Sequence, residues 1–487
     1  MFFFFLFKFI IPFDESWCEP PLPQYHHKEN ADLVMVQILT RHGARTPLHQ
    51  SPLYPHVWQC NNTELFSIDI KSPHLHKKTN LQNKLLNNDE VKGEDEKDEE
   101  KGDDDDEKEE SHKEEEENEF EKKKIHENEF EEKKFHKNAK TLEFHENNLF
   151  DDKIKKHPLR ISVSQSKSVF LGDCHFSQLL GRGAKNLRKL GSHIRKIYVD
   201  EMKFLPKKFK QSIFKFRSTR THRTIHSQMN FISGLYPNLE TNQNITIFIT
   251  DKEIDPLRHL PSICTNLKKV VEEVQESPEF ARIGENSEIV KNTTIYKKLG
   301  KIFGTKGKST NDIAMAARCN DLRGTLPDDV TDELLDSAAL LKAAQQKYIY
   351  THPKVFPLKF SFAIAEIVNS MIDRMNGKSN IRFIHWSAHD GDIFGFLGYL
   401  GTGTDTLPPY GSYIITELWK YRKNGEFFVR FIYNGKVLRI PRFGNVKEVL
   451  FDDFLRFVKL NMPKLKEDCG FTPEKLKKSW VFIPEEI

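Results

Sequence analysis

The chain has 487 residues, enough for one large two-part domain or two ordinary domains with a sizeable core. Its 74 basic residues nearly balance 71 acidic ones, a formal net charge of +3, which gives no reason to expect nucleic acid as a partner. One acidic block in the first third offsets basic residues spread over the rest. We therefore expect a basic folded part, which suits an anionic substrate, although excess lysine on a solvated face is the commoner explanation.

Residues 1–13 form an apolar, phenylalanine-rich run. It is too short to cross a bilayer, which takes a helix of roughly 20 residues. It is closer to the apolar part of a secretory signal peptide, although no basic residues precede it and no small-x-small cleavage site is evident near Cys18. We assign residues 1–18 to a signal-like or anchor segment, the only part expected to associate with a membrane.

Six cysteines without a C-x-x-C pair make a zinc site an unfavourable interpretation, and their even number fits three disulfides. Glycosylation sequons at Asn61, Asn244 and Asn292 agree with passage through the secretory pathway. We therefore expect a glycoprotein that is secreted or resides in the lysosome or the Golgi lumen.

Alternating apolar residues from Ala31 to Thr40 predict a buried β-strand that runs directly into Arg41-His42-Gly43. From Lys77 to Lys156 the composition changes to Glu, Asp, Lys, Asn and His, with an imperfect ten-residue repeat. Such a segment buries too little apolar surface to offset its ordering entropy. We predict a disordered, low-complexity insertion here.

The chain after Arg160 alternates strands and helices. The predicted elements are a helix at Gly181–Tyr198, a strand at Phe214–Ser218, a helix at Thr224–Leu235, a helical tract from Asp255 to Ser361 with its clearest helix at Thr331–Gln346, and a strand at Ile381–Trp386. Strand-turn-helix units predict an α/β fold, a mixed sheet flanked by helices on both faces, with ligands beyond the carboxyl ends of the strands. We assign residues 31–76, 157–254 and 362–487 to this core and residues 255–361 to a smaller, mainly helical cap domain.

The segment Arg41-His42-Gly43-Ala44-Arg45-Thr46-Pro47 places an imidazole between two guanidinium groups directly after a strand. Each guanidinium offers a planar fork that pairs with phosphate oxygens two at a time. A neutral imidazole beside a bound phosphate can attack phosphorus while the arginines stabilise the transition state. This pattern favours phosphoryl chemistry at His42 over the alternative of a solvated basic loop.

Two further strand ends carry charged turns. Arg217-Ser218-Thr219 puts a cation at the end of one strand, and His389-Asp390 puts an imidazole and a carboxylate after another. A carboxyl group can give a proton to a departing alkoxide and later take one from water. A His-Asp pair taken alone is also compatible with a structural role.

Together these segments resemble the histidine acid phosphatase family of the wider phosphoglycerate mutase-like superfamily. The matching motifs are Arg41 to Pro47, Ser177-Gln178-Leu179 with Gly183, Arg217-Ser218-Thr219 followed by Arg223-Thr224, Ser387-Ala388-His389-Asp390, Pro408-Pro409-Tyr410, Glu417-Leu418-Trp419 and Tyr433-Asn434. The resemblance covers Ala31 to about Cys469 apart from the acidic insertion.

The resemblance implies a phosphomonoester hydrolase that uses no metal or other cofactor. It assigns the nucleophile that forms a phosphohistidine to His42, the general acid to Asp390, and the phosphate pocket to Arg41, Arg45, Arg217 and His389. It also implies a disulfide between Cys264 and Cys469, and Cys60 with Cys174 is a further candidate pair. The stretch Cys174–Pro206 is similar to the branch that contains the 2-phosphoxylose phosphatases, which implies a phosphorylated sugar of a glycosaminoglycan linkage as substrate.

Two departures from the family pattern concern substrate preference. Arg220 stands where many members carry Asp, and Gly391-Asp392 replaces the frequent Thr-Thr or Gly-Asn. Two alternatives to a hydrolase remain, a phosphoglycerate mutase-like phosphotransferase and a catalytically silent protein that binds a phosphorylated ligand. The presence of both His42 and Asp390 argues against the silent protein.

Overall fold

A computed structural model gives the structure of the protein. It describes residues 18–24, 28–48, 58, 69–71, 174–239, 245–250, 255–258, 264–283, 293–304, 307–320 and 326–470. The predicted insertion from Lys77 to Lys156, the apolar run of residues 1–13 and the three sequons lie outside these residues. All the described residues belong to one unit, Met1–His76 with His157–Ile487.

The described strands form one mixed sheet. They are β1 (Ala31–Arg41), β2 (Asp69–Lys71), β3 (Phe214–Ser218), β4 (Thr246–Ile249), β5 (Phe383–Ala388), β6 (Tyr413–Tyr421), β7 (Phe427–Tyr433), β8 (Lys436–Val437) and β9 (Glu448–Leu450). Their order is β2-β4-β3-β5-β1-β6-β7-β8, and β9 pairs with β7. Strands β2, β4, β3, β5 and β1 are parallel to their neighbours in that order, whereas β6 is antiparallel to both β1 and β7.

The register of the three central parallel strands brings their carboxyl ends side by side. Ser387 of β5 lies opposite both Thr40 of β1 and Ser218 of β3. The segments that follow these strands, which begin at His42, Thr219 and His389, therefore leave the sheet at the same edge. This is the edge at which ligands of such sheets bind.

The described helices are α1 (Gly181–Arg195), α2 (His222–Leu235), α3 (Asn266–Gln275), α4 (Pro278–Ala281), α5 (Thr293–Phe303), α6 (Gly307–Arg318), α7 (Asp332–Thr351), α8 (Phe356–Met375), α9 (Asp390–Leu400) and α10 (Phe451–Leu460). Helix α1 continues into a π-helical turn, Lys196–Glu201. Helix α7 begins at the N-cap Thr331, whose hydroxyl accepts the Leu334 N–H, and extends beyond the predicted end at Gln346.

Helices cover both faces of the sheet, which confirms the predicted fold class. Along β1, Val36 and Ile38 pack with α1 and α2 on one face, while Met35 and Leu39 pack with α8, α9 and α10 on the other. This alternation follows from the two-residue period of a strand. Both sets of side chains are buried, so β1 lies in the centre of the core.

Helices α5, α6 and α7 share a separate small apolar core, with Phe303, Ile313 and Leu335 among its fully buried members. The predicted cap boundary at residue 361 falls inside α8, which runs to Met375 and packs on the sheet through Ile364 and Val368. In the described part of the chain no single helix is both long and apolar enough to cross a membrane. Helices α7 and α8 pass that test only as a pair bent by 76°.

Two disulfides join distant parts of the chain. Cys264 is bonded to Cys469 with their Cα atoms 4.1 Å apart, the pairing that the resemblance implies, and Cys18 is bonded to Cys319 with Cα atoms 5.1 Å apart. Cys174 is also disulfide-bonded, while Cys60 lies outside the described residues. Disulfides of this kind persist in oxidising compartments.

A buried charged cluster ties the antiparallel half of the sheet to the end of α1. The Glu417 carboxylate accepts hydrogen bonds from the Tyr198 hydroxyl at 2.7 Å, from Trp419 Nε1 at 3.0 Å and from Arg430 Nε at 2.8 Å. Glu417 and Arg430 are only 3% and 5% exposed. Such a pair tolerates the loss of one partner poorly, because the other charge is left buried alone.

We predict that Glu417→Ala lowers the free energy of unfolding by roughly 3 kcal/mol, because it leaves the Arg430 guanidinium buried without its counter-ion. Glu448→Ala is the control, since Glu448 pairs with Lys28 nearer the surface and its removal should cost about 1 kcal/mol or less. Denaturant unfolding of both variants measures the difference. Equal losses would show that the buried cluster has no special weight.

Candidate active site

The loop that carries His42 is hydrogen-bonded to its surroundings on both sides. The His42 N–H donates to the Ala388 carbonyl at 2.9 Å, and the Gly411 N–H donates to the His42 carbonyl at 3.0 Å. The Gly43 N–H donates to the buried Ser227 hydroxyl of α2 at 3.0 Å. His42 itself is 2% exposed, so the imidazole is held in a fixed, water-poor position.

The motif Ser177-Gln178-Leu179 with Gly183 supports this same loop. The Thr46 N–H donates to the Gln178 carbonyl and the Leu180 N–H to the Ala44 carbonyl, both at 2.9 Å. A Cβ atom on Gly43 would lie 2.6 Å from the Gly183 carbonyl oxygen, and one on Gly183 would lie 2.3 Å from that of Ala44. Glycine at both positions therefore allows the loop and the start of α1 to approach so closely.

The hydrogen bond that His42 makes determines which ring nitrogen is reactive. Its Nδ1 lies 2.9 Å from the Gly43 carbonyl oxygen, which can only accept, so Nδ1 carries the proton. The Nε2 lone pair is then the one available to attack an electrophile. Burial and the positive charges of Arg223, Arg45 and Arg41 hold the pKa of His42 well below its usual range, which keeps the ring neutral.

Hydrogen bonds and ion pairs hold the guanidinium groups of Arg41 and Arg45 in place. The Nη atoms of Arg41 contact the Pro408 carbonyl and, at 3.1 Å, the Asp390 carboxylate, and its guanidinium stacks 4.3 Å from the Tyr410 ring centre. The Nη atoms of Arg45 contact the Asp312 carboxylate at 3.0 and 3.3 Å. Within the described structure the Nε atom of each arginine is buried without a hydrogen-bond partner. Each Nε–H is thus a donor that a bound oxyanion could satisfy.

His389 lies beside His42, with the two ring centres 5.6 Å apart. Its Nδ1 is 3.3 Å from Arg223 Nη2, which can only donate, so Nδ1 is the acceptor and Nε2–H donates to the Thr219 hydroxyl at 3.0 Å. Burial and the charges of Arg223 and Arg258 hold the pKa of His389 well below its usual range. The ring is therefore neutral as well.

Asp390 is the carboxylate at the mouth of this site, and its side chain is 44% exposed. Desolvation would raise the pKa of Asp390, but the positive charges of Arg41 and Lys342 outweigh it and hold the pKa below its usual range. The Gly391 N–H donates to Asp390 Oδ1 at 2.9 Å. The carboxylate is accessible from solvent while one of its oxygens stays hydrogen-bonded to the backbone.

In the described structure the Arg217 side chain contacts neither His42 nor His389. It is 3% exposed, its Nη2 lies 2.5 Å from the fully buried Asp255 Oδ1, and its Nη1 donates to the Ser218 carbonyl at 2.6 Å. The arginine at the histidines is Arg223, which also donates to the Ser177 hydroxyl and whose charge is the largest that lowers the pKa of both His42 and His389.

The sequence contained signals for some of the residues that were not assigned to the pocket. Arg223 belongs to the matched motifs and is the second residue of α2, shortly after the end of β3, so the sequence indicates its nearness to the strand end. Asp312 lies in the helical tract, far from any motif, and nothing in its sequence context marked it. Among the described residues, no three His, Cys, Asp or Glu side chains lie close enough together to hold a metal ion.

Of the two departures from the family pattern, only Asp392 is buried. Its carboxylate accepts a hydrogen bond from the His389 N–H at 3.0 Å. This bond stabilises the backbone turn that carries His389 and Asp390. Burial raises the pKa of Asp392 to about 7. Arg220 is exposed at the surface.

The strand-end loops thus bring two neutral imidazoles together with the charges of several arginines at one edge of an α/β sheet. The sequence matches the histidine phosphatase superfamily (branch 2) over residues 32–300, more than half of its length. The protein belongs to this family.

Several curated proteins are similar to this chain. Counting factor 60 of Dictyostelium discoideum is 27% identical over 284 residues, which cover 56% of this chain and 66% of that protein. Human prostatic acid phosphatase is 26% identical over 283 residues, covering 55% of this chain and 71% of that protein. Human 2-phosphoxylose phosphatase 1 is 23% identical over 285 residues, covering 54% and 55%.

Among solved structures, the Hafnia alvei phytase in complex with myo-inositol hexakis sulphate aligns with a TM-score of 0.53 and 13% identity, covering 92% of this chain and all of that one. At this identity the likeness concerns the fold alone. The family and its acid phosphatase members support a phosphomonoester hydrolase.

We predict that Arg223→Ala and Arg217→Ala fail in different ways. Removing Arg223 should lower kcat/KM by roughly a hundredfold, about 3 kcal/mol of transition-state stabilisation, with little change in stability. Removing Arg217 should lower the free energy of unfolding by about 3 kcal/mol, because Asp255 is left buried without its counter-ion. Steady-state kinetics and denaturant unfolding of both variants decide between the two roles, and the reverse pattern would restore Arg217 as a phosphate ligand.

Proposed function

We propose that the protein hydrolyses phosphate monoesters through a phosphohistidine on His42. The observation that carries this proposal is a neutral, buried imidazole with Nε2 as its reactive nitrogen, surrounded by three guanidinium groups. The unsatisfied Nε–H donors of Arg41 and Arg45 support it. Both features suit a group that gains negative charge on its oxygens during reaction.

In the first step His42 Nε2 attacks phosphorus, a P–N bond forms, and the bond from phosphorus to the ester oxygen breaks. Arg41, Arg45 and Arg223 stabilise the charge on the three remaining phosphate oxygens. The His389 ring lies beside that of His42, and its Nδ1 donates no proton because it accepts the Arg223 hydrogen bond. Its role is to orient Arg223.

The departing alkoxide takes a proton from the Asp390 carboxyl group. In the free protein Arg41 keeps this group ionised, but a phosphate dianion that engages Arg41 weakens that influence and raises the pKa of Asp390. The acid is thereby made available when substrate binds. In the second step Asp390 takes a proton from water, the resulting hydroxide attacks phosphorus, and the P–N bond breaks to release inorganic phosphate.

The substrate that we propose within this class is a phosphorylated sugar, with 2-phosphoxylose of a glycosaminoglycan linkage as the specific candidate. The similarity to human 2-phosphoxylose phosphatase 1 supports it. A panel of phosphoxylose-containing oligosaccharides, lysophosphatidic acid, phosphotyrosine and inositol phosphates tests it by comparison of kcat/KM. A preference for any other member of the panel would replace this substrate without affecting the chemistry.

We also propose that the protein functions in the secretory pathway, secreted or in the lumen of the Golgi or the lysosome. The disulfides of the described residues support this location, because they form and persist in oxidising compartments. A similarity to the lysosomal acid phosphatase of Xenopus laevis supports it too.

We predict that His42→Ala abolishes phosphate release from p-nitrophenyl phosphate, because the covalent route has no second nucleophile. Wild-type protein that is quenched with alkali during turnover of an ester labelled in its phosphoryl group should carry the label on His42. That label should be released by acid. Ser227→Ala is the control, since it loses only a hydrogen bond to the loop and should keep measurable turnover. Substantial turnover by His42→Ala would refute the mechanism. Label that returns to substrate rather than to water would indicate a phosphotransferase, and binding without label a silent protein.

We predict that Asp390→Asn slows hydrolysis of alkyl phosphates far more than that of p-nitrophenyl phosphate, whose leaving group barely needs a proton. The amide keeps the size of the carboxyl group but cannot donate a proton to an alkoxide in this way. Pre-steady-state kinetics with the two substrates measure the first step directly. Equal slowing of both substrates would exclude Asp390 as the general acid.

A further inference from the structure

The helical layer formed by α5, α6 and α7 contributes a carboxylate to the loop that carries His42. Asp312 of α6 accepts two hydrogen bonds from Arg45, Nη1 to Oδ2 at 3.3 Å and Nη2 to Oδ1 at 3.0 Å. The Leu48 N–H donates to the same Oδ2 at 2.7 Å. One side chain from the helical tract thus holds two points of the loop that follows His42.

The contacts of Arg45 leave only one edge of its guanidinium for a ligand. Nη1 is also bonded to the Thr46 carbonyl at 2.9 Å, while Nε is buried without a partner in the described structure. Asp312 takes the far end of the fork, so the Nε edge is the one that faces away from it. A planar guanidinium held at two atoms cannot turn about its axis. The carboxylate therefore determines which N–H groups of Arg45 meet a phosphate.

Helix α6 is itself firmly placed. Its last residue, Arg318, is followed by Cys319, which is bonded to Cys18. The disulfide packs in one apolar cluster with Ala44 of the nucleophile loop and with Tyr410, the ring on which Arg41 stacks. The support that presents Asp312 is thus joined to the same loop that Asp312 orients.

The charge of Asp312 persists under acidic conditions. Burial alone would raise the pKa of Asp312, but the Arg45 charge and the Leu48 N–H outweigh burial and hold the pKa below its usual range. The carboxylate is therefore still ionised when the pH falls toward the usual carboxyl range, and Arg45 keeps its partner there. A negative charge behind Arg45 adds no attraction for phosphate, so its contribution is to geometry.

We propose that Asp312 is a positioning residue, one that acts on the reaction through Arg45 without touching the substrate. The proposal rests on the hydrolase mechanism proposed above. An orienting role affects the transition state more than the bound substrate, because the equatorial oxygens must meet fixed donors as phosphorus becomes planar. The effect should appear in kcat more than in KM, and in vanadate binding more than in phosphate binding.

The test compares Asp312→Asn with Asp336→Asn. Asp336 is a matched control, because it too is a carboxylate of the helical layer that pairs with a buried arginine, Arg318, at 3.2 Å. For Asp312→Asn we expect kcat to fall by roughly tenfold to a hundredfold with KM changed less than about threefold. The inhibition constant of vanadate should rise more than that of inorganic phosphate. Asp336→Asn should stay within about twofold of the wild type in all of these.

Asp312→Glu replaces Asp312→Asn as the test variant if the latter does not fold. It also tests geometry directly, because it keeps the negative charge and displaces it by one methylene. We expect it to recover stability but only part of kcat. Kinetics of Asp312→Asn equal to those of Asp336→Asn would overturn the proposal, and so would full activity of Asp312→Glu. Tighter phosphate binding with faster turnover in Asp312→Asn would show instead that Asp312 competes with substrate for Arg45.

Vanadate binding, measured by the rise in melting temperature, separates this proposal from the function itself. If the wild type hydrolyses no phosphomonoester but Asp312→Asn still weakens the vanadate response, the orienting role stands and the hydrolase assignment fails. If the wild type is an active phosphatase and the vanadate response of Asp312→Asn is unchanged, the hydrolase stands and the orienting role fails.

Discussion

Three guanidinium groups, those of Arg41, Arg45 and Arg223, surround one buried imidazole, and the site depends on holding this concentrated positive charge together. Like charges repel strongly away from water, and burial alone disfavours a charged ring. Because the His42 ring remains neutral, it neither adds to this repulsion nor requires burial of another charge. Each arginine in turn has acceptors for its guanidinium: Asp390 and Pro408 for Arg41, Asp312 for Arg45, and Ser177 with His389 for Arg223. The Nε–H groups of Arg41 and Arg45 have no acceptor in the described structure, and they are the donors that the proposed phosphate dianion would meet.

The sheet explains how residues so far apart in sequence meet. Strand β1 lies between the parallel β5 and the antiparallel β6, and β3 follows β5. Parallel neighbours end at one edge, so the loop of His42, the turn of His389 and the start of α2 converge. From the other side of β1, the segment before β6 supplies the Gly411 N–H to the His42 carbonyl. The residues that we propose as catalytic are thereby positioned by backbone pairing next to the strand ends.

Arg217 lies at the end of β3, yet in the described structure its guanidinium contacts Asp255 and the Ser218 carbonyl and neither of the histidines His42 and His389. Its guanidinium is held by the fully buried Asp255, whose Oδ1 also accepts the Leu257 N–H at 3.0 Å. The pair joins β3 to the segment that carries Arg258, whose charge reaches His389. Arg217 thus holds, through Asp255, the segment that contains Leu257 and Arg258. The family match and the acid phosphatase relatives support a phosphatase whichever of Arg217 and Arg223 contacts the substrate.

The sequence by itself determined the family, the fold class and the nature of the chemistry, because local patterns carry them: the alternation of β1, the helix periods, and motifs in which reactive residues adjoin strand ends. Helix limits are less well defined by the sequence. Helix α8 runs to Met375, past the predicted end of the helical tract at Ser361, because its apolar residues pack on the sheet. The structure alone decided which arginine faces the histidines. Arg217 and Arg223 are six positions apart, both near a strand end, and only the fold buries Asp255 against the first and His389 against the second. Asp312 lay beyond sequence reasoning for the same reason, because a carboxylate on a distant helix acquires its role only when packing brings it to Arg45.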